Sequence, residues 1–187
     1  MSSEAGDKFL DHVEEYLGPQ AGEMPADAFG TDRGFAVNLH NSADGELVSA
    51  VTNGLRFRSE VASPLPQELV VTLYADQEDE ALHLAGSAAE LAISVGEGME
   101  FDEVIPSEEP LVPDTEIYGV IATSHPYIEE DDFETMPDED GKPTLMILTL
   151  VPITRAEIAL IEAEGTDALY ERWESEETDL LDIHRED

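Results

Sequence analysis

The sequence contains no cysteine, which excludes a disulfide framework, a thiolate nucleophile and a zinc site with cysteine ligands. No apolar run approaches the ~20 residues needed to cross a bilayer. The longest run, residues 145–153, is interrupted by Thr149 and Pro152. The first residues have neither the basic nor the apolar region of a secretion signal. These absences predict a protein of the reducing cytoplasm that does not enter membranes.

Basic residues are scarce in this chain. It has 8 Lys and Arg against 45 Asp and Glu, which gives a formal net charge of −37 over 187 residues. Nucleic acids and anionic membranes would repel such a surface, whereas a basic protein would be attracted to it. We therefore expect a basic protein as the partner. The alternative is an acidic, salt-adapted domain of unrelated role, because salt-loving organisms have acidic proteomes.

Hydrophobic periodicity predicts an α+β protein, with a mixed β-sheet covered by helices in a single domain. The domain spans residues 1–187, with its core at about 7–175. Helices are predicted at 7–17, 77–95, 154–165 and 167–174, and strands at 35–39, 47–52, 69–74, 117–122 and 144–151. Pro152 is expected to close the last strand. Residues 20–33 and 106–113 are expected to be irregular, and residues 127–142 to form a long acidic loop.

The helix that begins after Thr154 has the clearest local signals in the sequence. Thr154 is a favourable N-cap, and Glu157 stands three residues later, which completes a capping box. Ile153 and Ile158 are spaced as a hydrophobic staple around that cap. Gly165 is placed to end the helix.

Four stretches together resemble the suppressor-of-fused-like domain family, in its single-domain bacterial form. They are the opening amphipathic helix at 9–18, the strand and Thr-Asn-Gly turn at 51–55, the strand start at 67–71, and the segment at 150–157 with the two helices after it. The resemblance covers roughly residues 7–185.

The resemblance implies a domain without catalytic apparatus or cofactor. The animal member of the family is a cytoplasmic repressor that binds proteins and has an additional C-terminal domain, whereas bacterial members look like immunity proteins of toxin systems. The resemblance therefore implies a non-catalytic protein-binding domain, either an immunity protein that neutralises a toxin or a regulatory repressor-type binder.

Catalytic motifs are absent from the sequence. There is no phosphate-binding loop, no nucleophile elbow and no His-Glu-x-x-His motif. The five histidines (His12, His40, His83, His125 and His184) do not pair at ligand spacing, and we expect them at the surface or in an interface. A hydrolase or other enzyme with a carboxylate-based site is the alternative function, because acids are abundant throughout the chain.

The densest acidic tract interleaves with two apolar residues, Phe133 and Met136. A calcium-binding loop of the EF-hand type does not fit, because setting Gly141 at position 6 puts Met136 at position 1 and Ile147 at position 12. The tract is interpreted either as a solvated loop or as a docking surface for a basic partner. Its candidate residues are Glu129, Glu130, Asp131, Asp132, Phe133, Glu134, Met136, Asp138, Glu139 and Asp140.

The Thr52-Asn53-Gly54 sequence suits a tight turn, since Asn and Gly tolerate positive φ. A contact role for Asn53 or Arg56 in partner binding is the functional alternative. Arg56 and Arg58 are two of the eight bases, and in so acidic a chain we expect them to pair with nearby carboxylates.

Overall fold

The structure is a computed structural model that describes residues 2–62, 64–129 and 131–186. The α-helices are α1 (Ser2–Leu17), α2 (Glu78–Val95), α3 (Arg155–Glu164) and α4 (Thr166–Glu176). The strands are β1 (Gln20–Met24), β2 (Ala36–Asn41), β3 (Leu47–Asn53), β4 (Gln67–Tyr74), β5 (Val104–Pro106), β6 (Ile117–Thr123), β7 (Thr135–Pro137) and β8 (Pro143–Thr154).

The strands form one mixed sheet in the order β1-β2-β3-β4-β8-β6-β5, and β7 also pairs with β8. β4 and β8 run parallel, whereas the other pairs are antiparallel. This architecture confirms the prediction of an α+β domain with a mixed sheet. The strands predicted at 35–39 and 47–52 correspond to β2 and β3, which pair as an antiparallel hairpin.

Side chains of β8 alternate between the two faces of the sheet, as the period of two requires. Leu148 and Leu150 face the cluster that contains α2, whose buried residues are mostly alanine and so allow close packing. Ile147 faces the cluster around α1, and Val151 faces the cluster around α3 and α4. The sheet is therefore covered by α2 on one face and by α1, α3 and α4 on the other.

The capping box at the start of α3 is confirmed. The Thr154 side chain accepts from the Glu157 backbone N–H at 3.2 Å, and the Glu157 carboxylate accepts from the Thr154 backbone N–H at 2.7 Å. Gly165 follows the last residue of the helix, as predicted.

Two predictions about irregular segments are wrong, because β1 lies inside the predicted connector 20–33 and β7 lies inside the predicted loop 127–142. β5 was not predicted either, but it takes only the first residue of the connection 106–113, whose other residues form no helix or strand, as predicted. All three are strands of three to five residues, and each pairs antiparallel with the next strand of the chain. The residues of β1 have low strand propensity, and β5 and β7 each have three residues that end in proline, so pairing with a neighbouring strand decides their conformation.

Pro152 does not close β8, which continues to Thr154. The Pro152 carbonyl accepts a hydrogen bond from Arg185 Nη2 at 2.7 Å instead of from a strand. Pro152 lies beyond the last residue pair of β4 with β8, which is Val70 with Thr149, although β4 itself continues to Tyr74. Its missing N–H therefore removes no bond of the β4–β8 ladder. Arg185 belongs to the C-terminal segment, where Ile183 is also buried, so the core extends beyond residue 175.

Candidate protein-binding surface

The acidic tract is folded into a short hairpin between β7 and β8. At its tip, the Asp138 carboxylate accepts from the backbone N–H groups of Asp140 at 3.0 Å and Lys142 at 2.9 Å. Gly141 adopts a φ of 78°, which a left-handed turn position requires. The tip is thus an ordered turn that holds Asp138, Glu139 and Asp140 exposed to solvent.

Phe133 does not project from this tract, as its interpretation as a docking surface with Phe133 as an apolar anchor had required. Its side chain is 0% exposed and packs in the cluster formed with Phe9, Val13 and Leu17 of α1. The Phe133 carbonyl lies 3.0 Å from His12 Nε2. Phe133 therefore anchors the tract to the protein's own core, because a loop among so many charges needs an apolar attachment to stay ordered.

The other residues of the tract lie in different environments. Glu129 and Asp132 are exposed, whereas Glu134 and Met136 are half-buried. Glu130 lies outside the described residues, and for Asp131 only the backbone is described.

The Thr52-Asn53-Gly54 turn is organised by a buried carboxylate, that of Glu68 on β4. Glu68 accepts from Thr52 Oγ1 at 2.6 Å, the Gly54 N–H at 2.9 Å, the Arg56 N–H at 3.2 Å and Arg56 Nη1 at 2.6 Å. Burial raises the pKa of the Glu68 carboxyl above its ordinary value, and the Arg56 charge opposes that effect. Because the Glu68 carboxylate accepts from four donors, the Glu68–Arg56 ion pair can be buried at this depth.

Asn53 and Arg56 therefore serve the fold at this turn, since Asn53 Oδ1 accepts from Arg56 Nη1 at 3.0 Å. The Arg56 guanidinium carbon lies 4.3 Å from the centroid of the Phe9 ring and 4.4 Å from that of Phe57. Arg58 likewise pairs with a carboxylate, that of Glu60, at 2.9 Å. The expectation that both arginines have carboxylate partners is confirmed.

An open groove lies between this turn, α1 and the acidic hairpin. Its volume is about 410 Å³. Apolar side chains form most of its lining: Phe9, Phe57, Pro66, Met136, Pro137 and Leu145. Lys8 and Arg56 add two basic groups. Phe57 is 64% exposed, which is unusual for a phenylalanine and makes it the most prominent apolar group beside the groove.

Most of the positive charge in the described chain is already paired within the fold. Five of the eight bases make ion pairs with carboxylates, namely Arg33–Glu90, Arg56–Glu68, Arg58–Glu60, Arg172–Glu176 and Arg185–Glu157. A sixth base, Arg155, stacks its guanidinium over the Tyr118 ring at 3.9 Å. The surface offered to other molecules is therefore strongly negative.

One chain of hydroxyl groups and a histidine resembles a catalytic arrangement. Ser49 Oγ lies 2.7 Å from Thr72 Oγ1, which lies 3.0 Å from His125 Nε2. The Tyr127 backbone N–H donates to His125 Nδ1 at 3.2 Å, so the neutral ring carries its proton on Nε2 and donates it toward Thr72. Burial lowers the pKa of His125 to about 4. The ring in this state takes no proton from Thr72, which a general base would have to do.

The expectation that the histidines lie at the surface or in an interface is wrong for two of them, because His40 and His125 are buried within the domain. Burial also lowers the pKa of His40. Within the ranges the structure describes, no group of three or more His, Asp or Glu side chains is placed to hold a metal ion. None of the helices in those ranges is long and apolar enough to cross a membrane.

The burial of two glutamates, Glu68 and Glu157, was not predicted, although Glu157 was named as the capping-box partner of Thr154. The Glu157 carboxylate accepts from Trp173 Nε1 at 2.6 Å and from Arg185 Nη2 at 2.7 Å, and so connects α3, α4 and the C-terminal segment. A signal for Glu68 was available, since it directly precedes the apolar run Leu69–Val71 of β4.

The fold and this surface define a single α+β domain with a mixed sheet and an acidic exterior. A family model described as "Suppressor of fused protein (SUFU)" matches residues 36–186. The chain belongs to the suppressor-of-fused family. A search of curated proteins finds no match.

Solved structures of the family share the fold. A suppressor-of-fused homologue from Neisseria gonorrhoeae has a TM-score of 0.69 and 17% identity, over 98% of this chain and 96% of that one. Drosophila Suppressor of Fused has a TM-score of 0.63 and 14% identity, over 94% of this chain and 47% of that one. The Sufu–Fu complex has a TM-score of 0.62 and 10% identity, over 94% and 84% respectively.

Proposed function

We propose that this chain is a non-catalytic protein-binding domain whose partner is a basic protein. Membership of the suppressor-of-fused family supports protein binding, since one structure with this fold is a complex of Sufu with another protein, Fu. The partner is either a toxin, in which case the chain is an immunity protein, or a regulator, in which case the chain is a repressor-type binder. The proposed compartment is the cytoplasm.

The charge distribution carries the proposal for a basic partner. With a formal charge of −37 and five of eight bases engaged in ion pairs, almost every free charge at the described surface is a carboxylate. Such a surface raises the association rate of a cationic partner and discriminates against anionic ones. An enzyme with a carboxylate-based site is less well supported, because the one carboxyl among the described residues whose pKa is raised, Glu68, is fully buried and accepts from Thr52, Gly54 and Arg56.

The acidic tract is the proposed contact region. Its charged candidates are Glu129, Glu130, Asp131, Asp132, Glu134, Asp138, Glu139 and Asp140. The ordered tip presents three of them side by side without a competing internal ion pair among the described residues. Phe133 is removed from the set because it is buried.

The experiment is affinity capture from the native host at 50 and 500 mM salt, followed by purification of each candidate and calorimetric titration. We expect one basic protein that binds at low salt and binds at least about tenfold more weakly at high salt, because salt screens charge–charge attraction. A triple variant, Asp132→Asn, Glu139→Gln and Asp140→Asn, is expected to weaken binding by about tenfold at low salt.

The matched control is Glu162→Gln, Glu164→Gln and Glu171→Gln. It removes three exposed charges from α3 and α4, away from the tract, and so leaves the same net charge, −37 + 3 = −34. If both variants weaken binding equally, the tract is not the contact region. If no protein binds directly at either salt concentration, the proposed function is wrong, and the acidity is better explained by a high-salt habitat.

A further inference from the structure

The groove between α1, the Arg56–Phe57 turn and the acidic hairpin is a built feature of the fold. One of its walls is fixed by the buried Arg56–Glu68 pair and by the stacking of Arg56 on Phe9. The opposite wall is fixed by the pairing of β7 with β8. Since both walls are held by core interactions, the groove is already formed before any partner arrives.

The size and lining of the groove suit one or two side chains of a peptide segment. A volume of about 410 Å³ lies in the lower part of the range for ligand pockets. The Arg56 guanidinium carbon lies 4.4 Å from the centroid of the Phe57 ring, and 64% of Phe57 remains exposed. An exposed aromatic ring of this kind binds an apolar side chain or a second guanidinium.

The charges around the groove decide which segment fits. Arg56 is neutralised by Glu68, so it presents no net charge to a ligand. Lys8 is one positive group in the lining, and Lys142 is another near the hairpin tip. Three acids oppose these positive charges, and they lie at the tip directly after the lining residues Met136 and Pro137: Asp138, Glu139 and Asp140. The hairpin side of the groove is thus the acidic side.

We propose that this groove is the docking site for a segment of a basic protein in which an aromatic or long aliphatic side chain is flanked by arginines. The apolar side chain enters the groove against Phe57 and Met136, and the arginines lie over Phe57 and toward the hairpin tip. This inference rests on the proposed function, and it adds the chemistry of the segment that the domain binds.

The probes are three fluorescein-labelled 12-residue peptides of equal length. The first has a central phenylalanine flanked by arginines, the second has alanine in place of that phenylalanine, and the third has glutamates in place of the arginines. Binding is measured by fluorescence anisotropy at 50 mM salt, and the site is mapped by amide chemical shifts. We expect the first peptide to bind at least about tenfold more tightly than the other two, with shifts centred on Phe9, Phe57, Met136 and Leu145.

Four variants test the site. Phe57→Ser removes the exposed ring, and Thr144→Trp fills the groove. Each is expected to lower the affinity for the first peptide by about tenfold. Lys8→Glu is expected to raise the affinity for the first peptide, because the base in the groove lining that repels an arginine becomes an acid. Phe29→Ser is the control, since Phe29 is also an exposed phenylalanine, at 73%, but lies away from the groove beside Arg33.

Equal affinity for the phenylalanine and alanine peptides would show that charge alone attracts them, and would overturn the inference. So would a loss of affinity in Lys8→Glu, or a concentration-dependent dimer that protects the same amides. If the basic partner of the previous section still binds Phe57→Ser and Thr144→Trp at full affinity, the groove inference fails and the proposed function stands. If the affinity capture yields no basic protein that binds directly, the proposed function is wrong, whatever the peptides do.

Discussion

Lowering the pH from 8 to 5 is expected to destabilise the protein by about 2 kcal/mol through His125 alone. The residue is 6% exposed, and burial lowers its pKa from 6.5 to about 4. Between pH 6.5 and pH 4, His125 is protonated in the unfolded chain but neutral in the folded chain. The contribution of the neutral ring is therefore complete above pH 6.5 and is lost as the pH falls toward 4. Since one pKa unit corresponds to ~1.4 kcal/mol, the full loss is ~3.4 kcal/mol.

The assay is urea unfolding followed by the fluorescence of Trp173, the one tryptophan, at several pH values from 8 to 5. The variant is His125→Gln, which keeps a donor for Thr72 but leaves the Tyr127 N–H without its acceptor. We expect it to lose about 1–3 kcal/mol at pH 8. The stability difference between variant and wild type should then shrink by about 2 kcal/mol by pH 5, because only the wild type titrates at this position.

Carboxylates and His40 titrate in both proteins, so the difference between them isolates His125. The matched control is the same histidine-to-glutamine replacement at the exposed His184, measured at the same pH values. A difference between His125→Gln and wild type that stays constant from pH 8 to pH 5 would refute the reasoning, and would mean that the ring is solvated or charged in the folded protein.

Two further substitutions test the buried polar groups by the same unfolding assay. Glu68→Ala should lower the free energy of unfolding by about 3–5 kcal/mol, because it leaves the Arg56 charge buried without its partner. Glu60→Ala removes the partner of the more exposed Arg58 and should change the free energy of unfolding little, so similar losses in both variants would contradict this account. Thr154→Ala should cost about 1 kcal/mol by removing the N-cap of α3, whereas Thr154→Ser should retain most of the stability; equal losses would mean that the cap contributes nothing.

The sequence predicted the elements whose cause is local. The helix α3 is an example, since the Thr154 cap, the Glu157 partner and the Gly165 stop all lie within the helix or directly beside it. By contrast, β1 has small and polar residues of low strand propensity, and it is a strand because β2 offers it a partner. The continuation of β8 through Pro152 likewise depends on Arg185, which lies 33 residues away. Pairing of this kind is not visible in a local pattern.

The candidate site was predicted in part for the same reason. The acidic tract and the Arg56 turn were found from composition, because charge density and turn residues are properties of short segments. The burial of Glu68 was not predicted, because it depends on hydrogen-bond donors between Thr52 and Arg56. These donors come close to the carboxylate only when β3 and β4 pair. The place of Phe133 was missed because its contact with His12 spans 121 residues.

The burial of Phe133 changes how the acidic tract can act on a partner. An exposed phenylalanine would have made the tract a flexible arm that becomes ordered only on binding, at a cost in conformational entropy. In the folded chain, Phe133 packs on α1, and the Asp138 carboxylate closes the hairpin tip. The carboxylates of the tip are therefore held in place although they repel one another. A partner that meets them finds a fixed pattern of charge beside a preformed groove, so its affinity should depend on matching that pattern more than on total charge.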